Sequence, residues 1–312
     1  MPEITHGDRT WLVAEGSNLL DALNGAGVRV PFSCRAGSCQ ACLVRCVRGE
    51  PQDDRPHALD PARRAEGWRL ACQCSVVRDL AIEIFDPERQ GLKAYVEGLD
   101  WLDEHILRLR LIPERPVRYE AGQHVLLWND QGVARPYSVA SLPGEEPWLE
   151  FHLDCRHSGA FCDSARDLVL HDTLRIGQPR TGALRYEPDW QMRPLLLLAA
   201  GTGLAPLWSL VREALRAGHL GPIRLLHFCR GESYLRTSLD DLAERQGNLS
   251  IEQVDGVEAA GRLRSLRVAS RQEVALICGG REFVDECARR MFLAGLPRGQ
   301  VLSDTFLTRS QG

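Results

Sequence analysis

Hydrophobic and polar residues alternate with different periods along the chain, and the first region combines short apolar runs with one amphipathic stretch. Pro and Gly separate the runs, which favours strands over long helices. Ser17 is a candidate N-cap for the first helix, and Asp60 followed by Pro61 is a start signal for a second. Residues 4–13 are predicted to form a strand, a turn at residues 6–8 and a second strand. Further strands are predicted at residues 41–47 and 80–85, and helices at 18–26 and 60–69. This pattern predicts a small α+β unit over residues 1–86.

The next region shows strong two-residue alternation after a polar, aperiodic stretch at residues 87–92, which we interpret as a linker. Several short strands with Pro and Gly between them are typical of an antiparallel barrel. Strands are predicted at residues 102–111, 119–128, 133–140 and 148–153, and one helix at 160–168. We therefore expect a barrel domain over residues 93–189.

From residue 190 the pattern changes to alternating strands and helices. The run Leu195–Ala200 is continuously apolar, as expected of a parallel strand that is buried on both faces. Further strands are predicted at residues 223–228, 249–254 and 273–278, and helices at 207–217, 239–246 and 283–294. This alternation predicts a doubly wound parallel sheet over residues 190–312.

Composition narrows the function classes. A net charge of −4 over 312 residues gives no sign of a nucleic-acid partner. The N-terminus lacks a basic region followed by an apolar run, so we expect no signal peptide, and Leu195–Ala200, the longest apolar run, is too short for a membrane anchor. The eleven cysteines are odd in number and fit a disulfide framework poorly. We expect the protein to be cytoplasmic, because free thiols and thiolate-bound clusters persist in the reducing cytoplasm.

Three cysteines stand in C-x4-C-x2-C spacing at Cys34, Cys39 and Cys42, and Cys72 follows later in the segment Leu-Ala-Cys-Gln. This is the ligand spacing of plant-type [2Fe–2S] clusters. The gaps hold small residues, among them Gly37, which allow backbone N–H groups to approach cluster sulfides closely. The spacing therefore predicts a [2Fe–2S] cluster bound by these four thiolates.

A structural zinc ion is the main alternative to a cluster at these thiols. Structural zinc sites usually pair two short knuckles, whereas this chain has one tight group and one distant partner. The fourth ligand is also open, because Cys74 lies two residues beyond Cys72 and Cys46 lies near the loop. The segment around Cys72 favours that residue. No histidines pair at metal-ligand spacing, and we expect all of them except His152 to be structural or surface groups.

The segment Arg135-Pro136-Tyr137-Ser138 lies on a predicted barrel strand. Its guanidinium suits a pyrophosphate, its aromatic ring suits a flat cofactor, and its hydroxyl supplies a hydrogen bond. On its own, however, the segment is more typical of an edge strand with an arginine on its solvent face.

Two glycine-containing segments follow predicted parallel strands. Gly201-Thr202-Gly203 opens a helix, and glycines there let the backbone approach a phosphate while the helix N-terminus offers free N–H groups. The segment is not the G-x-G-x-x-G motif, but its strand–turn–helix position favours a nucleotide site over a structural turn. Cys278-Gly279-Gly280 ends another strand, where α/β sheets also place ligands. Cys278 equally fits a small buried hydrophobic residue.

These motifs occur in a fixed order: the four cysteines, Arg-x-Tyr-Ser, Gly-Thr-Gly-Leu-Ala-Pro, Cys-Gly-Gly and a terminal phenylalanine, Phe306. In that order the chain resembles the ferredoxin–NAD(P)+ reductase superfamily with an N-terminal ferredoxin domain, and in particular the reductase components of bacterial aromatic-ring oxygenases. The resemblance covers essentially the whole chain. It implies a multidomain α+β and α/β fold with a β-grasp ferredoxin domain, an antiparallel β-barrel flavin domain and a doubly wound nucleotide domain.

The resemblance also implies residue roles. Arg135 would contact the FAD pyrophosphate, Tyr137 would stack on the isoalloxazine, and Ser138 would lie near flavin N5. The other implied contacts are flavin binding at Pro136, His152, Leu153, Gly159 and Cys162, dinucleotide binding at Gly201, Thr202 and Gly203, and nicotinamide contacts at Cys278 and Gly279 with Phe306 covering the flavin face. Cys162 stands where the family usually has Ser or Thr, so the neighbouring backbone N–H groups are expected to carry that contact.

The implied function is electron transfer from NADH through FAD and the [2Fe–2S] cluster to an oxygenase component or a small ferredoxin. NADH is expected over NADPH, since Glu232 suits a ribose 2′-hydroxyl, although Arg230 and Arg236 suit a 2′-phosphate. An alternative from another class is a redox-sensing iron–sulfur flavoprotein without steady turnover. The sodium-pumping quinone reductase subunit shares the domain order but begins with a membrane anchor.

Overall fold

The computed structural model describes residues 1–306 and shows three successive units, each with its own sheet and hydrophobic core. Residues 307–312, the end of the predicted nucleotide domain, lie outside the described residues. Over residues 1–306, no helix is both long enough and apolar enough to cross a membrane.

The first unit is a mixed five-stranded sheet, in the order β2-β1-β8-β4-β6, with a small three-stranded sheet beside it. Strands β1 and β8 pair in parallel and the other neighbours pair antiparallel. Helix α1 buries Leu19, Leu20 and Leu23 in the core of this unit. This is the β-grasp arrangement that was expected. The elements are β1 (Glu3–His6), β2 (Arg9–Leu12), β3 (Ser17–Asn18), α1 (Leu19–Gly25), β4 (Leu43–Arg48), β5 (Gln52–Asp53), α2 (Pro61–Ala65), β6 (Trp68–Leu70), β7 (Cys74–Val76) and β8 (Leu80–Ile84).

Two element boundaries in this unit differ from the prediction. The cap of α1 is Asn18, whose side chain accepts a hydrogen bond from the Asp21 N–H, and not Ser17. Helix α2 is capped by Asp60 as expected but ends at Ala65. Gly67 then turns the chain with a φ of 90°, and a Cβ there would lie 2.6 Å from the Cys46 carbonyl oxygen, so the following residues join the sheet as β6.

The stretch interpreted as a linker contains one helical turn, α3 (Pro87–Gln90), capped by the Asp86 side chain. Pro87 stands at the first helical position, where its missing N–H costs nothing. Glu88 of this turn forms an ion pair with Arg175 of the barrel. The segment is therefore a short helical connection that an ion pair fixes to the barrel, whereas the sequence predicted a linker without regular structure.

The second unit is a six-stranded antiparallel sheet in the order β12-β11-β14-β9-β10-β13. Alternating inward residues such as Leu109, Leu127 and Phe151 are fully buried and form its core. Strands β9 and β14 were missed, because β9 carries a register shift opposite Arg110 and β14 is short. The elements are β9 (Leu92–Trp101), β10 (Ile106–Pro113), β11 (His124–Trp128), β12 (Ala134–Ser138), β13 (Leu149–Asp154), α4 (Ala160–Arg166) and β14 (Thr173–Ile176).

The third unit is a parallel sheet in the order β17-β16-β15-β18-β19 with apolar clusters on both faces, as expected. Helix α5 starts three residues earlier than predicted, since Pro206 fits within a first helical turn. Helix α7 and strand β19 were not predicted. The elements are β15 (Leu195–Ala200), α5 (Leu204–Arg216), β16 (Ile223–Cys229), α6 (Arg236–Arg245), β17 (Leu249–Asp255), α7 (Ala259–Ser265), β18 (Val274–Gly280), α8 (Arg281–Leu293) and β19 (Val301–Phe306).

Candidate functional site

The cysteine loop, residues 34–42, lies between α1 and β4 and has an irregular backbone. Arg35 and Gln40 have φ angles of 51° and 55°, and Gly37 has a φ of 80°. These left-handed residues turn successive N–H groups towards sulfur. The N–H groups of Ala36 and Cys39 lie 3.3 and 3.4 Å from the Cys34 Sγ. The loop is therefore built to surround a negatively charged sulfur centre, in which such hydrogen bonds stabilise added electrons.

The structure brings all four predicted ligand cysteines together, in two pairs. Cys39 hydrogen bonds to Cys34 and lowers the pKa of Cys34 to about 4, and Cys42 lowers the pKa of Cys72 to about 7 in the same way. Within residues 1–306, no three His, Cys, Asp or Glu side chains are arranged to hold a single metal ion. Two thiol pairs match a [2Fe–2S] cluster, in which each iron takes two protein ligands.

The two competing cysteines, Cys46 and Cys74, belong to neither of these pairs. Cys74 belongs to β7, is fully buried in the core of the first unit, and has its pKa raised by that burial. Cys46 belongs to β4, and burial raises its pKa to about 11. Cys72, by contrast, is half-buried and accepts a hydrogen bond from the Gln73 side chain at 3.2 Å. The geometry favours Cys72 as the fourth ligand.

The predicted flavin motif occupies β12, an edge strand of the barrel sheet. Arg135, Pro136, Tyr137 and Ser138 are all half-buried, and the Arg135 Nη1 donates to the Ala134 carbonyl at 2.7 Å. The Tyr137 ring already packs on Phe161 with ring centroids 5.2 Å apart. The strand thus offers a guanidinium, a partly covered aromatic ring and a hydroxyl, which are groups that suit a flavin nucleotide.

The helix that should face the FAD pyrophosphate starts at Ala160. Gly159 precedes it and has open space around its Cα, but its N–H donates to the Asp163 carboxylate at 3.1 Å. Cys162 lies in the first turn of this helix and hydrogen bonds to Cys155 and to the Tyr137 hydroxyl. The bond to Cys155 has the larger effect and lowers the Cys162 pKa to about 7. A phosphate at this turn would have to displace Asp163 from the Gly159 N–H.

Two further residues of the predicted flavin site have buried side chains. Leu153 is completely buried in the barrel core. His152 is buried too, with Nδ1 3.1 Å from the Tyr234 hydroxyl and Nε2 3.1 Å from a Glu150 carboxylate oxygen. Despite its burial, Glu150 has its pKa lowered to about 2 by hydrogen bonds from His152 and Arg110. The His152 side chain therefore links the barrel to Tyr234 of the third unit.

The nucleotide motif lies at the carboxyl end of β15. Gly201, with a φ of 53°, and Gly203 flank Thr202 in a helical turn that leads directly into α5. A Cβ on Gly203 would lie 2.2 Å from the carbonyl oxygen of Cys278, so the close approach of the two strand ends requires glycine. Helix α5 begins directly after this turn, and the free N–H groups of a helix N-terminus can receive a pyrophosphate.

One residue of this site was missed by sequence reasoning. His227 is fully buried, and its Nε2 lies 3.0 Å from the Gly201 carbonyl while its Nδ1 lies 2.8 Å from the Ser233 hydroxyl. Burial lowers its pKa to about 4, so the ring is neutral and joins the two loops that follow β15 and β16. Its place close to the end of a parallel strand was the signal that could have identified it.

The predicted nicotinamide contacts lie at the same edge of the sheet. Cys278 is completely buried. The ends of β15 and β18 lie so close together that a Cβ on Gly279 would be only 2.9 Å from the Ala200 Cβ. Phe306 ends the neighbouring strand β19, is half-buried, and packs against the core cluster that contains Cys278. The three residues form one patch beside the Gly201–Gly203 turn.

The cysteine loop packs directly on β11 and on β12, the strand that carries the predicted flavin motif. Cys39 and Ala41 share a buried cluster with Leu126, Trp128 and Ala134 of β11 and β12. The Phe85 ring stacks on Trp128 with centroids 5.3 Å apart, and Arg63 donates to the Gln178 side chain at 2.9 Å. The first unit thus contacts the barrel through the surface that carries the predicted thiol ligands.

Comparison with known proteins agrees with this arrangement. The family described as a 2Fe-2S iron-sulfur cluster binding domain matches residues 4–77. The chain is 30% identical over 291 residues to the ferredoxin–NAD(P)(+) reductase component of the naphthalene 1,2-dioxygenase/salicylate 5-hydroxylase systems of Ralstonia sp., covering 90% of this chain and 86% of that relative. It is 32% identical over 243 residues to reductase component 1 of terephthalate 1,2-dioxygenase of Comamonas sp., covering 75% and 72%.

Solved structures share the fold. The Amycolatopsis cytochrome P450 reductase GcoB superposes with a TM-score of 0.66 at 23% identity, covering 99% of this chain and 100% of that chain. The ferredoxin reductase in carbazole 1,9a-dioxygenase gives a TM-score of 0.65 at 21% identity, covering 98% of both chains. At such identities the likeness concerns the fold, and it extends over all three units.

Proposed function

The chain belongs to the family of ferredoxin–NAD(P)+ reductase components of oxygenase systems, and from this we propose that it passes electrons from NADH to an oxygenase component or a small ferredoxin. The contact between the cysteine loop and the flavin strands carries the proposal. A reductase of this family needs its two-electron and one-electron centres close together, and Cys39 packs on the strand pair that carries Arg135 and Ser138. FAD converts a two-electron hydride into single electrons, and a [2Fe–2S] cluster carries electrons singly.

The roles of this chain's residues in that reaction are as follows. Arg135 holds the FAD pyrophosphate by charge-assisted hydrogen bonds, Tyr137 supports the flavin ring, and the Ser138 hydroxyl donates a hydrogen bond near the hydride-accepting position. The turn Gly201–Gly203 and the N-terminus of α5 hold the dinucleotide pyrophosphate. Phe306 keeps water away from the flavin face until nicotinamide takes its place.

The remaining residues of the proposed site act by packing and by holding backbone groups in place. His152 and Leu153 support the strand beside the flavin from within the barrel, and the backbone around Gly159 and Cys162 is proposed to meet the flavin phosphate once Asp163 moves aside. Cys278 and Gly279 shape the floor of the nicotinamide pocket. The proposed cluster ligands are Cys34, Cys39, Cys42 and Cys72.

The proposed preference for NADH follows from the loop after β16. Arg236 forms ion pairs with Asp240 at 2.5 Å and with Glu232 at 3.7 Å. Its charge is therefore already balanced by two carboxylates, which disfavours a 2′-phosphate, whereas Glu232 keeps an exposed carboxylate that can accept from a 2′-hydroxyl. Arg230 is the remaining cation of this loop.

We also propose that the protein is cytoplasmic. All eleven cysteines lie within the described residues and none forms a disulfide. A thiolate-bound cluster and free thiols persist in a reducing compartment.

The experiment is steady-state reduction of cytochrome c and of ferricyanide by the purified protein that holds FAD and its cluster. We expect NADH to drive both reactions, and kcat/KM for NADH to exceed that for NADPH. Absence of sustained cytochrome c reduction with either nucleotide contradicts the proposal and favours a sensor. A kcat/KM for NADPH equal to or above that for NADH overturns only the nucleotide preference.

A further inference from the structure

The fourth predicted ligand, Cys72, lies in a short helical turn, Ala71–Gln73, between β6 and β7. Two hydrogen bonds fix the backbone of this turn. The Ala71 N–H donates to the Cys42 carbonyl at 2.9 Å. The Asn18 side chain donates to the Cys72 carbonyl at 3.1 Å. The turn is therefore held both against the cysteine loop and against the cap of α1.

The Gln73 side chain connects this turn to the cysteine loop. Its Nε2 donates one hydrogen bond to the Arg35 carbonyl at 2.9 Å and another to the Cys72 Sγ at 3.2 Å. Because a carbonyl oxygen can only accept, the amide nitrogen must be the atom that faces the loop, and its two N–H groups suffice for both bonds. One amide thus links the loop backbone to a predicted ligand sulfur.

The position of the Gln73 side chain is also fixed by packing. A Cβ on Gly37 would lie 3.2 Å from the Gln73 Cγ, so the glycine leaves room for this side chain against the loop. The Gln73 carbonyl accepts from the Asp54 N–H at 3.0 Å, which holds the backbone behind it. The amide is therefore placed by contacts on both its backbone and its aliphatic part.

The donors to the two predicted thiol pairs differ in kind. The Cys34 sulfur lies close to backbone N–H groups of its own loop, those of Ala36 and Cys39. The Cys72 sulfur receives a side-chain N–H, from Gln73. When a cluster is reduced, its sulfurs share one more negative charge, and a donor to sulfur stabilises that state and raises the reduction potential. A side-chain donor can be removed by substitution while the backbone stays unchanged.

We propose that Gln73 is a positioning residue that acts through Cys72 and raises the reduction potential of the cluster by its hydrogen bond to the Cys72 sulfur. This inference rests on the proposed function and deepens it. The flavin loses the one electron that the cluster gains, so the potential of the cluster determines how much of it NADH can reduce through the flavin. Gln73 thereby sets the supply of single electrons to the acceptor.

The test is a redox titration of the full-length protein loaded with FAD and the cluster, in which the electron paramagnetic resonance signal of the reduced cluster gives its midpoint potential. Gln73→Met keeps the length of the side chain and removes the amide. Gln73→Glu keeps the shape, removes the donor and adds a negative charge.

Gln40→Met is the matched control. Gln40 is also half-buried, and its Nε2 ties the cysteine loop to its surroundings by a bond to the Ala58 carbonyl at 2.8 Å. The control therefore removes a glutamine amide that holds the loop through a backbone carbonyl. Amide hydrogen exchange of residues 34–42 measures how far each variant loosens the loop.

We expect Gln73→Met to lower the equilibrium constant for one-electron reduction of the cluster about tenfold, which is about 59 mV in midpoint potential. Gln73→Glu should lower the potential further, because its carboxylate opposes the added negative charge. Gln40→Met should speed amide exchange of the loop and keep the wild-type potential.

A wild-type potential in Gln73→Met overturns the proposal. An equal fall in Gln40→Met overturns it too, because the effect would then come from the packing of the loop. Loss of the cluster from both Gln73 variants, with FAD retained, would assign the residue to cluster assembly and also contradict the proposal. The proposed function fails separately, if NADH does not sustain cytochrome c reduction by the wild type, because chemical reductants with mediators still give the potential of every variant.

Discussion

At the scale of single residues, the candidate cluster site consists of four thiols that lie in two pairs, Cys34 with Cys39 and Cys42 with Cys72. The spacing C-x4-C-x2-C limits the choice of ligands because a loop of that length can place three thiols around a small cluster. His227 could not be found in this way, because its ring bonds to the Gly201 carbonyl, which lies 26 residues away in the sequence.

The fourth cluster ligand is testable by substitution. Cys72→Ser should abolish or alter the visible iron–sulfur absorption, since Cys72 pairs with Cys42 beside the loop. Cys46→Ser is the matched control in the same unit and should keep the normal spectrum, because Cys46 lies on β4 away from the thiol pairs. Cys74→Ser should also keep the cluster, at some cost in stability from a hydroxyl in the core. A cluster lost in Cys74→Ser and kept in Cys72→Ser would reverse the assignment.

Gly203 offers a second test at this scale. A Cβ there would lie 2.2 Å from the Cys278 carbonyl oxygen, so Gly203→Ala must push apart the ends of β15 and β18. We expect a KM for NADH raised by about tenfold or more, with FAD retained, as for a site displaced by a fraction of an ångström. Gly280→Ala is the control, because no atom lies within 4 Å of its added Cβ. Equal kinetics of the two variants would show that the strand ends do not form the nucleotide site.

At the scale of elements, the alternation of hydrophobic and polar residues identified the strands that bury one face. It did not identify the ends of helices and strands that are set by single contacts. Residues 60–69 have a helical composition, yet the helix ends at Ala65 and Gly67 turns the chain with a positive φ, where an added Cβ would meet the Cys46 carbonyl oxygen. Strand β9 was missed since its register shifts opposite Arg110. The hydrophobic period along the chain indicates which face of a helix or strand is buried. The ends and bulges of that element depend instead on its contacts with the element beside it.

Because the buried His227 ring joins the loops that follow β15 and β16, we predict that the stability of the protein depends on pH. Burial lowers the His227 pKa to about 4 from an unfolded value of about 6.5. Between these values the unfolded state binds more protons, so stability is complete above pH 6.5 and falls as the pH drops towards 4. Between pH 7 and pH 5 this group alone should cost about 2 kcal/mol.

The measurement is the thermal unfolding midpoint at pH 7 and pH 5 for the wild type and for His227→Gln. The glutamine retains a donor for the Gly201 carbonyl but does not titrate, so its midpoint should fall less between the two pH values. His6→Gln is a control in the first unit, where the ring is not fully buried. A pH dependence of His227→Gln identical to that of the wild type would mean that the buried imidazole is not the titrating group.

At the scale of the whole molecule, the order of the three units could be predicted from periodicity and motifs, but their docking could not. Leu126, Trp128 and Ala134 have the alternation of an ordinary barrel strand, and nothing in the sequence distinguishes a face that meets solvent from one that meets the cysteine loop. Phe85, which stacks on Trp128, likewise fits a simple strand end. The structure thus adds the contact on which the proposed electron path depends.

A variant without the cluster tests whether that path runs in series. Cys34→Ser, Cys39→Ser and Cys42→Ser combined should remove the cluster and leave the barrel and nucleotide units intact. The protein should retain FAD and reduce ferricyanide with NADH at close to the wild-type rate, because hydride transfer needs only nicotinamide and flavin in contact. It should reduce cytochrome c poorly, because the variant lacks the cluster that is proposed to pass single electrons to the acceptor.

The full-length chain is the right form for this test. A truncation that begins at the barrel would uncover Leu126 and Trp128, and an exposed apolar patch favours aggregation. Plant-type clusters have potentials near about −400 mV, so NADH is expected to reduce the cluster incompletely until an acceptor withdraws electrons. If the triple variant holds FAD and its fold yet loses ferricyanide reduction, the cluster would take part in the hydride step or in assembling its site, and the serial path would be wrong.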